Sequence, residues 1–408
     1  MVKNTEHVNT DVFIAGGGLA GLIAAQAFAQ AGFSVVCAEP NRPVTERGRK
    51  GADLRTTAFL QPAQQFLDSI GLWPDMAPQA MALERMRIVD AGAADAADQI
   101  RLQKDFDARD ISAQPFGWNV PNWFSRKVIL AALEAHQNVE FLSGVACTSY
   151  FSRVAEARVS LSNGRKLRAK LVLAADGRHS LLRKAAGISS KTRRFGQKAL
   201  AFAVTHPIPH QNISTEIHRS GGPFTLVPLP DHESMPSSAV VWMETGPEAA
   251  RLMALSDKEF EEALDTRSCG LLGPLKLASA RTLWPIISQI AERLSAQRLA
   301  LIAEAAHVVP PIGAQGLNMS LADIESLCAL AQASPETLGD EAMLDAYHKA
   351  RIGDLKTRVA GISMLNQASM ADHQILRDLR AGGLNALHGI APVRRAVMNL
   401  GLGTKSQP

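Results

Sequence analysis

The segment Asp11–Gly21, DVFIAGGGLAG, runs an apolar stretch straight into glycines spaced G-x-G-x-x-G, and it constrains the fold more than any other part of the chain. Asp11–Ala15 predicts a short buried parallel strand. Helix-forming residues follow, with Leu22, Ile23, Ala27 and Phe28 on one stripe and Gly32 at the end. A second apolar strand, Ser34–Ala38, leads into Glu39. In such a unit Gly16 permits the tight turn and Gly18 lets a pyrophosphate approach the backbone. Leu19 and Ala20 open the helix, and Gly21 lets helix and strand pack closely. Glu39 lies 18 residues after Gly21, where a carboxylate accepts both hydroxyl hydrogens of a ribose and disfavours a 2′-phosphate. The pattern is that of a dinucleotide site.

With 408 residues and 46% apolar composition, the chain has material for two domains or one large two-lobed unit. Its 43 Lys and Arg are interspersed among 39 acids for a net charge of +4, which argues against nucleic acid as a partner. Lys191-Thr192-Arg193-Arg194 is read as a solvated loop. Cys37, Cys147, Cys269 and Cys328 are too far apart for a metal pair and read as reduced core thiols in a cytoplasmic protein, so no metal site is expected. No apolar run approaches the roughly 18 residues of a membrane span, and MVKNTEHVNT has no signal core. Any membrane contact is then peripheral, at the inner membrane.

Two later segments repeat the strand-to-turn theme. Lys170–Gly187 predicts a buried strand, an Asp176-Gly177 turn and a short helix, and Leu301–Asp323 a buried strand, a Pro-Pro loop and a helix starting at a glycine. Together with GGGLAGLIAA, DLRTTAFLQPAQQFLDSIGLW, GGPFTLVPLP and YHKARIGD, these segments resemble the FAD-dependent aromatic-ring monooxygenases related to p-hydroxybenzoate hydroxylase. Within that family the chain is most similar to the ubiquinone-biosynthesis hydroxylases, and the likeness covers nearly the whole chain.

The resemblance implies an α/β fold: a Rossmann-like FAD-binding domain, an inserted mainly antiparallel β-sheet substrate domain and a helical C-terminal tail. The expected boundaries are 1–75, 111–190 and 285–335 for the FAD-binding parts, 76–110 and 191–284 for the substrate lobe and 336–408 for the tail. It implies that FAD is held by the glycine turn and by Glu39, Arg55, Arg126, Asp176, Gly177 and Glu304. Pro311 and the N–H groups of Gly316, Leu317 and Asn318 would edge the flavin ring and stabilise negative charge on it. The implied reaction hydroxylates an aromatic ring through a flavin C4a-hydroperoxide, with O₂ and NAD(P)H or an external electron donor. No second G-x-G-x-x-G unit exists to bind NAD(P)H. The implied substrate is a prenylated phenol in ubiquinone biosynthesis; a small soluble aromatic acid is the alternative. A halogenase ranks last, because GWNVP carries only part of that tryptophan motif, and a non-catalytic scaffold subunit of a biosynthetic complex is the reading from another class.

No catalytic side chain is assigned. A histidine on a buried strand-turn, as His307 is, more often serves structure than acid–base chemistry. The family usually has Gly-Asp where this chain has Ala303-Glu304, and Ala-Gly where it has Gly313-Ala314. A positive φ at Ala303 would cost about 1–2 kcal/mol. Residues Ala199–Glu244 alternate as sheet strands, with Leu83–Val89 and Gln99–Leu102 as candidate edges. Trp118 and Trp123 are expected in the core, with an aromatic-ligand contact as the alternative. The tail, with apolar Leu365, Leu376, Leu379, Leu384, Leu387, Val393, Val397 and Leu400 and basic Arg377, Arg380, Arg394 and Arg395, is expected to dock on the sheet domain. A membrane surface or a partner in a biosynthetic complex remains open.

Overall fold

The computed structural model describes residues 8–91, 100–219, 221–370 and 374–402, the side chains of 374–381 excepted. In chain order the first half holds β1 (Val8–Ala15), α1 (Leu19–Gln30), β2 (Val35–Glu39), β3 (Thr56–Leu60), α2 (Gln61–Ser69) and α3 (Trp73–Met76). Next come β4 (Met81–Leu83), β5 (Arg85–Asp90), β6 (Leu102–Asp107), β7 (Gly117–Pro121), α4 (Asn122–Glu134) and β8 (Val139–Ser143). A hairpin, β9 (Cys147–Ser152) and β10 (Ala157–Leu161), then leads through β11 (Lys166–Ala174) to α5 (Leu181–Ala185). The second half opens with four long strands, β12 (Ser190–Thr205), β13 (Ile213–His218), β14 (Pro223–His232) and β15 (Met235–Thr245). Helices α6 (Gly246–Ala254) and α7 (Asp257–Ser268) follow, then β16 (Lys276–Leu277), β17 (Thr282–Ala291), β18 (Ser295–Ala296), β19 (Leu299–Leu301) and β20 (His307–Val308). The chain closes on α8 (Gln315–Ala333), α9 (Glu341–Ser369), α10 (Gln374–Gly389) and α11 (Ala391–Leu402).

Val12, Phe13 and Ile14 are fully buried because β1 lies between two parallel neighbours, β11 and β2, in a sheet ordered β18-β19-β11-β1-β2-β8. Helix α1 departs from the single apolar stripe expected of it. Every residue from Ala20 to Ala29 is buried, since α4 and α8 cover the sides that the sheet leaves open. Its many alanines let three neighbours approach at once.

The second sheet runs β20-β17-β12-β15-β14-β13-β5-β6, antiparallel except for the β13–β5 pair. Side chains alternate across it. One face, with Leu200, Phe202, Phe224, Leu226 and Trp242, packs on residues of α6 and α7. The other, with Ala199 and Met243, meets Ile312 of the Pro-Pro loop and so faces the first sheet's domain. A small third sheet, β3-β7-β4, ties the lobes through Asn119 Nδ2, which donates to the Pro228 carbonyl at 2.9 Å.

Three readings change. Lys191–Arg194 is strand, not loop: it pairs with Ile287–Ile290 of β17, its charges standing on the solvent side where no apolar period marks it. Strand β17 also runs through residue 284 to Ala291 within the sheet. The predicted edge at Gln99–Leu102 begins only at Leu102 and continues to Asp107, with Gln99 outside the described residues; Leu83 belongs to β4 and the neighbouring edge starts at Arg85.

The tail docks on both lobes. His388 Nε2 meets the Asp105 carbonyl at 3.0 Å and Arg394 pairs with Asp110 at 3.0 Å, while Gln315 Nε2 donates to the Gly401 carbonyl at 2.8 Å. Leu376, Leu379, Arg377 and Arg380 lie outside the described side chains. No described helix is long and apolar enough to cross a membrane.

A Cβ on Gly21 would lie 1.9 Å from the Gly16 carbonyl oxygen, a backbone atom that cannot yield. Gly21→Ala is therefore expected to cost about 1–3 kcal/mol, read as a lower urea midpoint.

Candidate active site

The carboxyl ends of β1, β2, β11 and β19 converge, the place where open α/β sheets bind ligands. Gly16 leaves β1 at φ +107°, and a Cβ there would sit 2.3 Å from the Ala175 carbonyl, so this turn and the Asp176-Gly177 turn touch. Gly18 caps α1 with open space at its Cβ and no side-chain hydrogen bond, and Leu19 and Ala20 follow in the first turn. The helix thus presents bare N–H groups. Glu39 braces the turn from β2: its carboxylate accepts from Gly17 N at 2.6 Å and Asn41 N at 3.0 Å. Asp176 accepts from Leu182 N at 3.1 Å through Oδ2, while its buried Oδ1 has no partner. Gly177 turns at φ +85°.

Glu304 sits in a short 3₁₀ turn entered through Ala303 at φ +54°. Its carboxylate is half exposed and pairs with Arg178 at 3.2 Å. Arg183 ties the two turns, donating to the Ala305 and Arg178 carbonyls at 2.7 and 2.8 Å. A second cluster gathers on Asp53, gripped by Arg55 in two bonds of 2.8 Å and approached by Arg126 at 3.3 Å. Burial opposes ionisation of Asp53, but Arg55 and Arg126 outweigh it and hold the carboxyl below its usual range. Arg126 lies on α4 with its buried Nε unpartnered. The Arg55 guanidinium stacks 4.5 Å from the Trp284 ring centroid, joining this cluster to β17.

The loop before α8 is exposed at Pro311 and Gly313, and Ala314 caps the helix at φ +56° without a side-chain bond. The helix begins at Gln315, one residue ahead of the predicted glycine; Gly316 is exposed and Leu317 packs towards the core. The Asn318 side chain is already engaged: it accepts from Leu60 N at 2.9 Å and donates to the Ala58 and Ala314 carbonyls at 2.8 and 2.6 Å. That locks β3 to the loop. His307 is buried, its Nε2 2.8 Å from Asp323 Oδ2, while Arg351 holds Oδ1 at 2.7 Å. It braces β20 against α8 and α9. Trp118 packs edge-on against Trp73 at 5.4 Å, and Trp123 against Phe124 at 5.6 Å.

Sequence reasoning missed Asp53, Arg178, Trp284 and Gln315. Two had a local signal, since Asp53 precedes Arg55 by two residues and Arg178 follows the Asp-Gly turn directly. Trp284 and Gln315 had none; Gln315 matters because it links Gly313, Arg358 and Gly401 across three elements.

Two uncapped helix N-termini, the orphaned Asp176 Oδ1 and Arg126 Nε, and an exposed loop at Pro311–Gly313 are a donor and acceptor set that fits FAD. A model of the FAD binding domain family matches residues 9–357. The chain is 30% identical over 397 residues to the ubiquinone hydroxylase UbiL of Rhodospirillum rubrum, covering 97% of this chain and 90% of that protein. It is 24% identical over 397 residues to the 3-demethoxyubiquinol 3-hydroxylase of Escherichia coli, covering 97% and 98%. The p-nitrophenol 4-monooxygenase of Pseudomonas putida shares the fold at a TM-score of 0.79 and 19% identity, covering 98% of this chain and 100% of that one.

Ala303 and Ala314 hold left-handed conformations that suit glycine. Ala303→Gly and Ala314→Gly are each expected to raise stability by about 0.5–1 kcal/mol, the relieved strain exceeding the added chain entropy. Denaturant melts of the two variants check this.

Proposed function

The chain belongs to the FAD binding domain family, whose model spans most of its length, and from that premise we propose that it hydroxylates a prenylated phenol on the route to ubiquinone. It is an FAD-dependent monooxygenase that uses O₂ and a reduced electron donor on an aromatic ring. The near full-length match, at 30% identity, to a protein named as a ubiquinone hydroxylase carries the choice of substrate.

FAD, when bound, supplies O₂ activation and transfer of one oxygen atom to the ring. The protein's part is position, charge and dryness. The bare N–H groups of Gly18, Leu19, Ala20 and Gly21 at the start of α1 would hold the pyrophosphate. Glu39 has lone pairs left for the adenosine ribose beyond its bonds to Gly17 and Asn41. Arg126 Nε and Asp176 Oδ1 would take their missing partners from the cofactor chain, beside Gly177 and Arg55. Glu304, steadied by Arg178, would accept from the ribityl hydroxyls. Pro311 and the N–H groups of Gly316, Leu317 and Asn318 would edge the ring and stabilise negative charge on it. Ile312, packed against Ala199, Met243 and Ile286, keeps water out of the lobe junction. NAD(P)H or another donor reaches the ring without a second dinucleotide unit.

A lipid surface is the partner that the tail fits. Ile390, just ahead of α11, and Val393, Val397 and Leu400 on it form one outward stripe at helical spacing, 42–71% exposed, on a helix with no acid whose Arg395 is exposed while Arg394 is held by Asp110. That stripe supports peripheral contact with an anionic membrane, where a prenylated substrate dissolves.

The purified protein should be yellow with about one FAD per chain, the occupancy expected for a single dinucleotide unit. It should oxidise NAD(P)H with release of a hydroxylated prenylphenol; turnover confined to soluble aromatic acids, or a colourless folded protein that cannot be reconstituted, would overturn the reading. Glu304→Ala should weaken FAD binding about tenfold, the loss of a charge-assisted hydrogen bond. Val393→Asp with Val397→Asp should abolish co-sedimentation with phosphatidylglycerol vesicles and leave turnover of a short-chain phenol intact.

A further inference from the structure

The cleft where the loop between β2 and β3 meets the second sheet has no part in the reading above. Ala203, Leu229 and Ala239 share one face of that sheet. Ser237 joins them, since it stands opposite Leu229 and two residues before Ala239 on β15. The same face carries Ala199 and Met243 and so looks towards the Pro-Pro loop. Over Ala203, Leu229 and Ser237 lies a cavity of about 60 Å³, lined from the opposite side by Arg47, Thr56, Gln79 and Trp123. One water fills about 10–15 Å³ of such space, so the cavity suits a group of a few heavy atoms and not a whole ring.

Two polar groups here lack partners. Ser237 Oγ is buried without a hydrogen bond. Arg47 is half-buried and makes no hydrogen bond or ion pair among the described residues. Burial lowers its pKa, and the charge of Glu233 on the β14–β15 turn offsets this only in part. Thr56 and Gln79 add a hydroxyl and an amide to the lining. Asp231 lines the cavity too, but it is exposed, where water screens its charge, whereas the Arg47 guanidinium is turned into the protein. A guanidinium with hydroxyl and amide donors is a set that binds an oxyanion, and a buried hydroxyl without a partner is a cost that such a ligand removes.

We propose that the Arg47–Ser237 cleft is an anion subsite that receives a carboxylate or phosphate group of a molecule whose reacting ring lies at the flavin loop. This rests on the reading of the lobe junction as the place where that ring meets the flavin. Ala203 is four residues along β12 from Ala199, about 13 Å of extended strand, and Ala199 packs on Ile312 of the loop. An anion in the cleft thus anchors the far end of a molecule that spans this distance. Two molecules of the reaction have such an end: an aromatic substrate with an acid group on the side of its ring away from the flavin, and the phosphate of a nicotinamide donor. Trp123 and Leu229 flank the cleft with apolar surface, which strengthens the charge interaction by keeping water from it.

The test uses the FAD-loaded enzyme in two arms, each comparing a pair of ligands that differ by one anionic group. The first arm measures dissociation constants of a prenylated 4-hydroxybenzoate and of the same phenol without its carboxylate, from the change in flavin absorbance. The second measures, without oxygen, how flavin reduction depends on the concentration of reduced nicotinamide mononucleotide and of reduced nicotinamide riboside, which lacks the phosphate. Wild type is expected to favour the anionic member at least about tenfold in one arm, and that arm identifies the source of the anion. Arg47→Met should bring the preference within about threefold, Arg47→Lys should keep part of it, and Ser237→Ala should lower it about fivefold. FAD content should stay at the wild-type value in all three, and the melting temperature of Ser237→Ala should not fall, because that substitution removes an unsatisfied buried group. Wild type without a preference in either arm, or Arg47→Met keeping it, overturns the proposal. Neither readout requires ring hydroxylation, so a preference lost as expected in an enzyme that hydroxylates no prenylphenol leaves the subsite standing and removes the substrate reading.

Discussion

The parallel register of β1 with β11 is the constraint on which the site depends. Ala15 pairs with Ala174, so the strands end level and the two turns that follow them collide unless one lacks a side chain. Gly16 provides that gap, and Gly21 provides another beneath it where α1 crosses the turn. Because β2 and β19 share the same sheet, Glu39 and the Ala303–Ala305 turn arrive at the same edge. One register thus brings together segments separated by nearly 300 residues of chain.

Around that edge the chain accepts strain and spends side chains to hold it. Ala303 and Ala314 both occupy the left-handed region, worth about 1–2 kcal/mol each against them. Arg183 clamps the first turn through Ala305, and Asn318 clamps the second through Ala314 while binding β3. The buried His307–Asp323–Arg351 set joins the strand before the loop to the helix after it and to α9. The loop that edges the proposed flavin ring is therefore pinned from both ends, which is what preorganisation requires.

Specific contacts from several elements join the lobes. Arg55 on Trp284, Asn119 on Pro228 and Ile312 on the Ala199 face join the two sheets, and the tail crosses between them from Arg394 to Gly401. Helix α11 thereby touches both the edge of the substrate lobe and the first residue of α8, with its apolar stripe turned outward. A surface that receives α11 also lies over the junction of the lobes.

The sequence by itself determined the local units: the strand-glycine-helix opening, the Asp-Gly turn with its short helix, the Pro-Pro loop before α8 and the alternating strands of the second sheet. Each is written in neighbouring residues, by period and by turn chemistry, and a few residues of context suffice to read it. The edge at Lys191–Arg194 escaped because exposed charges carry no apolar period. Tertiary structure alone decided who meets whom. Glu304 with Arg178, Arg55 with Trp284, and Gln315 with Gly401 are pairs distant in sequence. Strand register and lobe docking set these distances, and both depend on packing across the whole chain rather than on any window of it.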